Sequence, residues 1–101
     1  MIEIRQTEDY ARWFRSLRDR QARARINIRL RRLSLGNPGD VKSAGKGISE
    51  LRIDYGPGYR VYFTQRGETL IILLAGGDKR RQQNDIRTAM RLAQELEGES
   101  P

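Results

Sequence analysis

The sequence predicts a small α+β domain in which an antiparallel sheet carries a helical hairpin on one face and a C-terminal helix. Residues 50–63 alternate apolar and polar side chains around a Gly-Pro-Gly turn, and residues 70–75 are continuously apolar. Apolar residues also recur at helical spacing before and after this region. The expected element order is β-α-α-β-β-β-α, in one domain that spans residues 1–101.

The N-terminal third predicts a short strand followed by two helices. Residues 1–5 alternate in polarity, and Thr7, with two acids after it, is a candidate helix N-cap. Two apolar stripes follow at helical spacing, the first being Tyr10, Trp13, Phe14 and Leu17 and the second Ala22, Ile26, Leu30 and Leu33. We expect these stripes, including Trp13, to cover the sheet, so that Trp13 is a core residue rather than a base-stacking one. The glycine-rich stretch 36–47 is expected to be a loop.

The turn at Gly56-Pro57-Gly58 decides which side chains share a face of the sheet, because a slip of one residue exchanges the faces. A loop of two or four residues would set Arg60 among Leu51 and Ile53. A three-residue loop is therefore favoured. It places Leu51, Ile53, Tyr55, Tyr59, Val61 and Phe63 on one face and Glu50, Arg52, Asp54, Arg60, Tyr62 and Thr64 on the other.

The strand at residues 70–74 has no polar position, so both of its faces must be covered. The amphipathic pattern from Lys79 to Glu97, with Asp78 as a candidate N-cap, predicts a helix that roofs the second face. The arginines would then stand at the edge of a cleft. Gly76-Gly77 is expected to form a strand-to-helix turn with permissive backbone angles rather than a phosphate cradle. Residues 97–101 are expected to form a frayed tail.

Composition narrows the function. Twenty Lys and Arg against thirteen Asp and Glu give a net charge of +7, which makes a polyanion a leading candidate partner. Ten arginines lie between Arg5 and Arg32, and both a solvated helical face and a polyanion-binding patch remain open for them. The chain has no Cys and no His, which argues against disulfides, metal-dependent chemistry and Ser-His-Asp catalysis. No cofactor or metal is expected, and without a membrane-spanning run the default location is the cytoplasm.

Two segments carry a family resemblance. The run from Glu50 to Phe63, with its Gly-Tyr-Arg-Val-Tyr motif, and the run from Leu73 to Lys79, with Asp85-Ile86 after it, resemble the RelE/ParE toxin superfamily. The similarity is greatest to the HigB-like addiction module killer proteins of bacterial type II toxin–antitoxin systems. It implies a RelE-like fold and a toxin that cuts messenger RNA on the ribosome without metal, by attack of the ribose 2′-hydroxyl on the adjacent phosphate.

The resemblance also implies site residues. The arginine of the Gly-Tyr-Arg motif matches Arg60, the basic position of the preceding strand falls on Arg52, and the basic residue after the last strand matches Lys79. An ungapped alignment puts Asp85 where RelE has a tyrosine in its last helix, so the expected catalytic set is Arg52, Arg60, Lys79 and Asp85. Asp85 is either a general base or an acid on the helix surface. Tyr62 is an alternative phenol, and the expected nucleic-acid contacts are Arg52, Arg60, Tyr62, Lys79, Arg80 and Arg81.

The expected partners are the ribosome, messenger RNA and a cognate antitoxin, which we expect to be a helix-turn-helix protein encoded nearby. No membrane partner is expected. Two other functions stay open: a ParE-like DNA gyrase inhibitor without nuclease chemistry, and a degenerate toxin homologue that only binds nucleic acid. The basic cluster of Arg52, Arg60 and Lys79 favours the nuclease. Other HigB-like enzymes use histidines and RelE uses a tyrosine in its last helix, and the absence of both here leaves the degenerate alternative open.

Overall fold

The computed structural model describes residues 1–99 and has five strands and three α-helices within that range. The elements are β1 (Glu3–Gln6), α1 (Glu8–Ser16), α2 (Arg20–Ser34), β2 (Val41–Gly45), β3 (Ile48–Ile53), β4 (Tyr59–Arg66), β5 (Leu70–Asp78), a 3₁₀ turn (Lys79–Arg81) and α3 (Gln82–Glu99). The α+β class, the two N-terminal helices and the C-terminal helix are confirmed.

The sheet is mixed rather than antiparallel, with the strand order β1-β5-β4-β3-β2. Strands β2 to β5 form an antiparallel meander, but β1 pairs with β5 in parallel. The expectation of a purely antiparallel sheet was therefore wrong. Helices α1 and α2 carry the chain from β1 at one edge to β2 at the other, and this crossover fixes the direction of β1.

The segment expected to be a loop before the sheet contains the edge strand β2. It holds few apolar residues, and most of its side chains are exposed, so no burial pattern marks it as a strand. A two-residue turn joins it to β3, and both turn residues, Lys46 and Gly47, have positive φ values of 53° and 78°. Such φ values are typical of tight hairpin turns, which favour glycine.

The hairpin between β3 and β4 has a five-residue loop, Asp54–Gly58, instead of the predicted three. Ile53 pairs with Tyr59, because Tyr55 leaves the ladder and its hydroxyl donates to Asp19 Oδ2 at 2.9 Å. Asp19 is the N-cap of α2, so the loop is anchored to that helix. The register differs from the prediction by two residues, an even number, so the predicted faces of the strand residues are kept.

Two apolar cores lie on the two faces of the sheet. Between the sheet and the first two helices are Tyr10, Ile26, Leu33, Leu51, Ile53, Val61, Phe63, Ile71 and Leu73, with Trp13 packed against them. Between the sheet and α3 are Ile48, Tyr62, Ile72, Leu74, Ala75, Ala89 and Leu92. The expectation that both faces of the strand at residues 70–74, now part of β5, are covered is thus confirmed, and so is the core position of Trp13.

The ends of β5 and α3 position the polar face. A bulge places one extra residue, Leu74, on β5 opposite β4, and the Leu74 carbonyl accepts a 2.6 Å hydrogen bond from the Thr7 hydroxyl. Thr7 also caps α1 by accepting from the Tyr10 amide, as predicted. Helix α3 continues to Glu99, into the segment expected to form a tail, whose last two residues lie outside the described range. Within residues 1–99, no helix has the length and apolarity needed to cross a membrane.

Candidate nucleic-acid interface

A polar cleft opens where β3 and β4 meet the 3₁₀ turn. Arg52 and Arg60 lie directly opposite each other in the β3–β4 ladder, so their side chains leave the same face side by side. Lys79 follows β5, and its Cβ lies 3.6 Å from where a Cβ on Gly58 would stand. The cleft is lined by Asp40, Arg52, Ile53, Asp54, Gly56, Pro57, Gly58, Arg60 and Lys79. Three of the four residues predicted to be catalytic are thereby brought together.

Arg52 is held in place by Asp40. Its Nη2 and Nε donate to Asp40 Oδ1 at 2.8 and 3.1 Å, and its backbone amide donates to the Asp40 carbonyl. The hydrogen bond from Arg52 lowers the pKa of Asp40, and the charges of Arg52, Arg29 and Arg60 act in the same direction. Arg52 is therefore an oriented cation whose charge is partly neutralised by its neighbour.

Arg60 stands between Arg52 on one side and Gly77 of β5 on the other. Like charges that face each other across a ladder are unfavourable. Its Nε is buried and, in the described part of the chain, has no hydrogen-bond partner. An unsatisfied buried donor costs about 1–3 kcal/mol. An anion in the cleft would relieve this electrostatic cost.

Asp85 is a buried carboxyl of the first turn of α3, with only 9% of its surface exposed. It lies directly on Gly77, where a Cβ would overlap Oδ2, and that oxygen has no hydrogen-bond partner among the described residues. Desolvation raises the pKa of Asp85; nearby Arg81 lowers this pKa and Asp78 raises it. The alternative of an acid on the helix surface is wrong, because α3 packs this side chain against the sheet.

Gly76 and Gly77 do not form the expected turn. Both lie within β5, and neither has a positive φ. A side chain at Gly76 would collide with the indole of Trp13, and one at Gly77 with the carboxyl of Asp85. These glycines are required for close approach: one admits a core residue, and the other admits a polar residue of the site.

Tyr62 is on the predicted face but is not displayed there, since α3 covers it completely. The expectation of an open phenol was wrong because the roof extends further over the sheet than the polar alternation of β4 indicates. The Tyr62 hydroxyl has no hydrogen-bond partner among residues 1–99. Burial raises its pKa, as do the neighbouring carboxylates of Glu50 and Asp85, while Arg60 lowers it. The phenol is therefore neutral at physiological pH.

The remaining predicted contacts lie outside the cleft. Arg80 and Arg81 are exposed on the 3₁₀ turn, and Arg80 pairs with Asp78 at 3.0 Å. Most arginines of α1 and α2 are exposed too, but Arg29 is bound to three carbonyls, those of Arg52, Pro38 and Asp40. No group of three or more His, Cys, Asp or Glu in the described residues could hold a metal ion.

Sequence reasoning missed three residues of this region. Asp40 lay in the segment interpreted as a loop, so its pairing with Arg52 gave no signal. Glu50 was placed on the correct face, but it is buried, and its carboxylate accepts from Gln82 Nε2 at 2.7 Å. Nothing in the alternation marked Glu50 as buried, because Arg52 and Asp54 occupy equivalent positions on the same face. No sequence pattern pointed to Gln82 either, because its partner Glu50 lies 32 residues away.

A small sheet between two helical layers, with a cationic cleft at one end, has the architecture of RelE-like toxins. The pattern of the family described as phage derived protein Gp49-like (DUF891) matches residues 12–96, and the chain belongs to this family, which is of the RelE/HigB toxin type. A protein of Haemophilus influenzae, described as an uncharacterized protein, is 50% identical over 95 residues. That match covers 94% of this chain and 96% of the relative. The family indicates a toxin-like protein and implies an antitoxin partner.

Proposed function

We propose that this chain is the toxin of a HigB-like type II toxin–antitoxin pair and cuts messenger RNA in the ribosomal A site. The observation that carries the proposal is the convergence of Arg52, Arg60 and Lys79 on one cleft. Family membership alone indicates only a toxin-like protein related to the RelE-type endoribonucleases.

The proposed reaction is a phosphoryl transfer within the RNA. The ribose 2′-oxygen forms a bond to the adjacent phosphorus as the bond from phosphorus to the 5′-oxygen breaks. One proton leaves the 2′-hydroxyl and one is delivered to the departing 5′-oxygen. The products are a fragment ending in a 2′,3′-cyclic phosphate and a fragment beginning with a 5′-hydroxyl. The protein must stabilise the added negative charge and handle the two protons.

Arg60 is proposed to bind the scissile phosphate. A guanidinium offers a planar fork of donors to phosphate oxygens, and the Nε of Arg60 has no hydrogen-bond partner among the described residues. Lys79 is exposed at the mouth, where a compact ammonium can follow the developing charge. Arg52, oriented by Asp40, would contact a neighbouring phosphate. Arg80 and Arg81 extend the positive surface beyond the mouth.

Asp85 is proposed to be the acid–base residue. Desolvation raises its pKa toward the operating pH, which improves both its uptake and its release of a proton. It lies over Gly77, on the strand beside Arg60. Tyr62 lies beneath this cluster as a neutral phenol in a supporting role, whereas the sequence predicted an open phenol that contacts the nucleic acid. Three buried side-chain atoms have no partner among the described residues: Arg60 Nε, Tyr62 Oη and Asp85 Oδ2. Arg60 pairs with Gly77 in the ladder, Asp85 lies over Gly77, and the charges of both act on Tyr62.

The test is an end-group analysis. Purified protein is incubated with ribosomes programmed with a defined message, and separately with the same free RNA and with DNA gyrase. The proposal predicts cleavage on ribosomes with a 2′,3′-cyclic phosphate and a 5′-hydroxyl at the cut. Inhibition of supercoiling without RNA cleavage would favour the gyrase alternative, and binding to RNA without either activity would favour a degenerate toxin.

A further inference from the structure

Helix α2 buries one apolar stripe against the sheet, and large aliphatic side chains also stand exposed on the helix and at its C-cap. Ala22, Ile26 and Leu33 are buried in the core beneath the helix. Ile28 and Leu35 are 51% and 59% exposed, although both are large aliphatic residues. Ile28 lies within the helix, whereas Leu35 is the residue at its C-cap.

Ile28 lines a groove beside the helix. The lining residues are Gln21, Ala24, Arg25, Ile28, Arg29, Arg32, Ile53 and Asp54. The apolar residues Ala24, Ile28 and Ile53 meet three arginines there. A surface that combines aliphatic side chains with several cations is suited to an amphipathic partner, because it offers both apolar area and charge complementarity.

Two of the groove arginines are already ordered. The guanidinium of Arg25 lies 4.6 Å from the centre of the Tyr55 ring. Arg29 donates to the carbonyls of Arg52, Pro38 and Asp40 at 2.5, 3.1 and 3.1 Å. A partner that pairs with these cations immobilises less side-chain freedom than one that binds free arginines. The groove is therefore preorganised.

We propose that this groove is the docking site of the antitoxin, and that the docked segment is an acidic amphipathic helix. Its aliphatic side chains would cover Ala24 and Ile28, and its carboxylates would pair with Arg25 and Arg32. The identity of the partner as an antitoxin rests on the toxin family and on the proposed function. The site itself is argued from the groove.

Two other occupants fit the groove less well. RNA would use the arginines, but phosphate contacts gain nothing from the exposed aliphatic side chains. A second copy of this chain would bring a like-charged helix to the groove, because α2 contains six arginines and no acid. An acidic amphipathic helix would complement the positive charge of the groove and also cover its apolar surface.

The groove adjoins the cleft without overlapping its cations. Ile53 and Asp54 line both, and Arg29 of the groove holds the Arg52 backbone. An antitoxin seated on α2 would stand beside the cleft, where it blocks the approach of the ribosome. Antitoxin affinity and RNA cleavage should consequently be separable by mutation, since the first depends on α2 and the second on Arg60 and its neighbours.

The experiment measures affinity directly, with the small protein encoded next to this chain's reading frame as the probe. Titration calorimetry compares wild type with Ile28→Glu and Arg32→Ala. Asn27→Glu adds the same charge one position away on an exposed part of α2, and Arg12→Ala removes the same charge on α1. We expect Ile28→Glu to weaken Kd at least about thirtyfold, the size of an interface hot spot. Arg32→Ala should weaken Kd and reduce its salt dependence, and both controls should stay near wild type.

Each other outcome overturns the proposal. If the neighbouring protein fails to bind wild type, or binds Ile28→Glu as tightly as Asn27→Glu, the antitoxin does not dock here. If the groove variants lower ribosomal cleavage but leave Kd unchanged, the groove is an RNA surface. If wild type self-associates in sedimentation and Ile28→Glu abolishes this, it is a contact between copies. Kd is measured without RNA, so a failure of the nuclease proposal would be recognised separately.

Discussion

Asp85 is a buried ionisable group with one carboxylate oxygen, Oδ2, that has no hydrogen-bond partner among residues 1–99, and such a combination is costly unless it is used. Its neighbours in the fold are Gly77 below it and the charges of Arg81 and Asp78 beside it. Natural proteins keep strained polar groups chiefly where function requires them. A variant that relieves this cost should therefore gain stability as it loses activity.

We expect Asp85→Asn to lower ribosomal cleavage by roughly a hundred- to ten-thousandfold, the usual contribution of a general acid–base. Its effect on stability should depend on pH. The pKa of Asp85 is raised in the fold, so its contribution to stability is fully present below the unfolded pKa and is lost as pH rises through the folded value. Urea unfolding should show the variant gaining on wild type as pH rises above about 4, the ordinary pKa of an aspartate carboxyl.

A constant stability difference across that range would mean that the pKa of Asp85 is not raised in the fold. Undiminished cleavage by Asp85→Asn would remove the residue from the chemistry. The comparison must be made between the two proteins, because Asp40 and Asp78 have lowered pKa values and give the opposite slope in both.

The two neighbouring glycines give a second test at this scale. Gly77→Ala should displace the Asp85 carboxyl and reduce cleavage about as much as Asp85→Asn does. Gly76→Ala should instead push the Trp13 indole in the core and destabilise the fold by about 1–3 kcal/mol, as overpacking does. Cleavage per folded molecule and urea unfolding would be measured for both. The account fails if Gly77→Ala cleaves normally, or if only Gly76→Ala impairs the activity of folded protein.

At the scale of elements, Thr7 connects α1 to the bulge of β5. Its hydroxyl accepts from the Tyr10 amide and donates to the Leu74 carbonyl. The bulge precedes Gly76 and Gly77, so this contact helps to aim the end of β5 toward α3. A single side chain thus contacts the bulge of β5 and caps the first turn of α1.

Thr7→Val keeps the shape of the side chain and removes both hydrogen bonds. Loss of an N-cap alone costs about 0.5–2 kcal/mol, and we expect a decrease in the free energy of unfolding within or slightly above that range. Thr7→Ser retains the hydroxyl and should stay close to wild type. Equilibrium urea unfolding measures both variants, and an unchanged midpoint for Thr7→Val would contradict the role given to this contact.

The elements also mark what the sequence can and cannot predict. The faces of Arg52 and Arg60 followed from alternation, and this result survived a wrong loop length because the register error was even. Strand β2 was missed because an exposed edge strand needs no burial pattern. The direction of β1 depends on where α1 and α2 lead the chain. That is a tertiary property with no local signal.

For the molecule as a whole, α3 determines which part of the polar face is a site. It buries Tyr62, Glu50 and Asp85 at one end of the sheet and leaves Arg52, Arg60 and Lys79 at the opening. The sequence predicted the roof from the uninterrupted apolar strand. How far α3 extends over the sheet depends on its packing, which the sequence does not reveal. Because α3 extends over β4, Tyr62 is buried beneath the site.

The net charge of +7 acts on the same scale. It favours encounter with any polyanion, so binding to RNA alone says little about the cleft. A specific role must therefore be tested by a variant that changes one cationic side chain while an equal change elsewhere serves as the control. Arg60 and Arg12 form such a pair, since Arg12 is exposed on the helical layer across the sheet from the cleft.

The most direct measurement is cleavage of a defined message on programmed ribosomes by wild type, Arg60→Ala and Arg12→Ala, with Tm recorded for each. We predict that Arg60→Ala slows cleavage roughly a hundred- to a thousandfold, because it removes a preorganised donor to the transition state. Its Tm should be equal or higher, because the like-charge contact with Arg52 and an unsatisfied buried donor are lost. Arg12→Ala should cleave like wild type. Full cleavage by a folded Arg60→Ala protein would contradict the account.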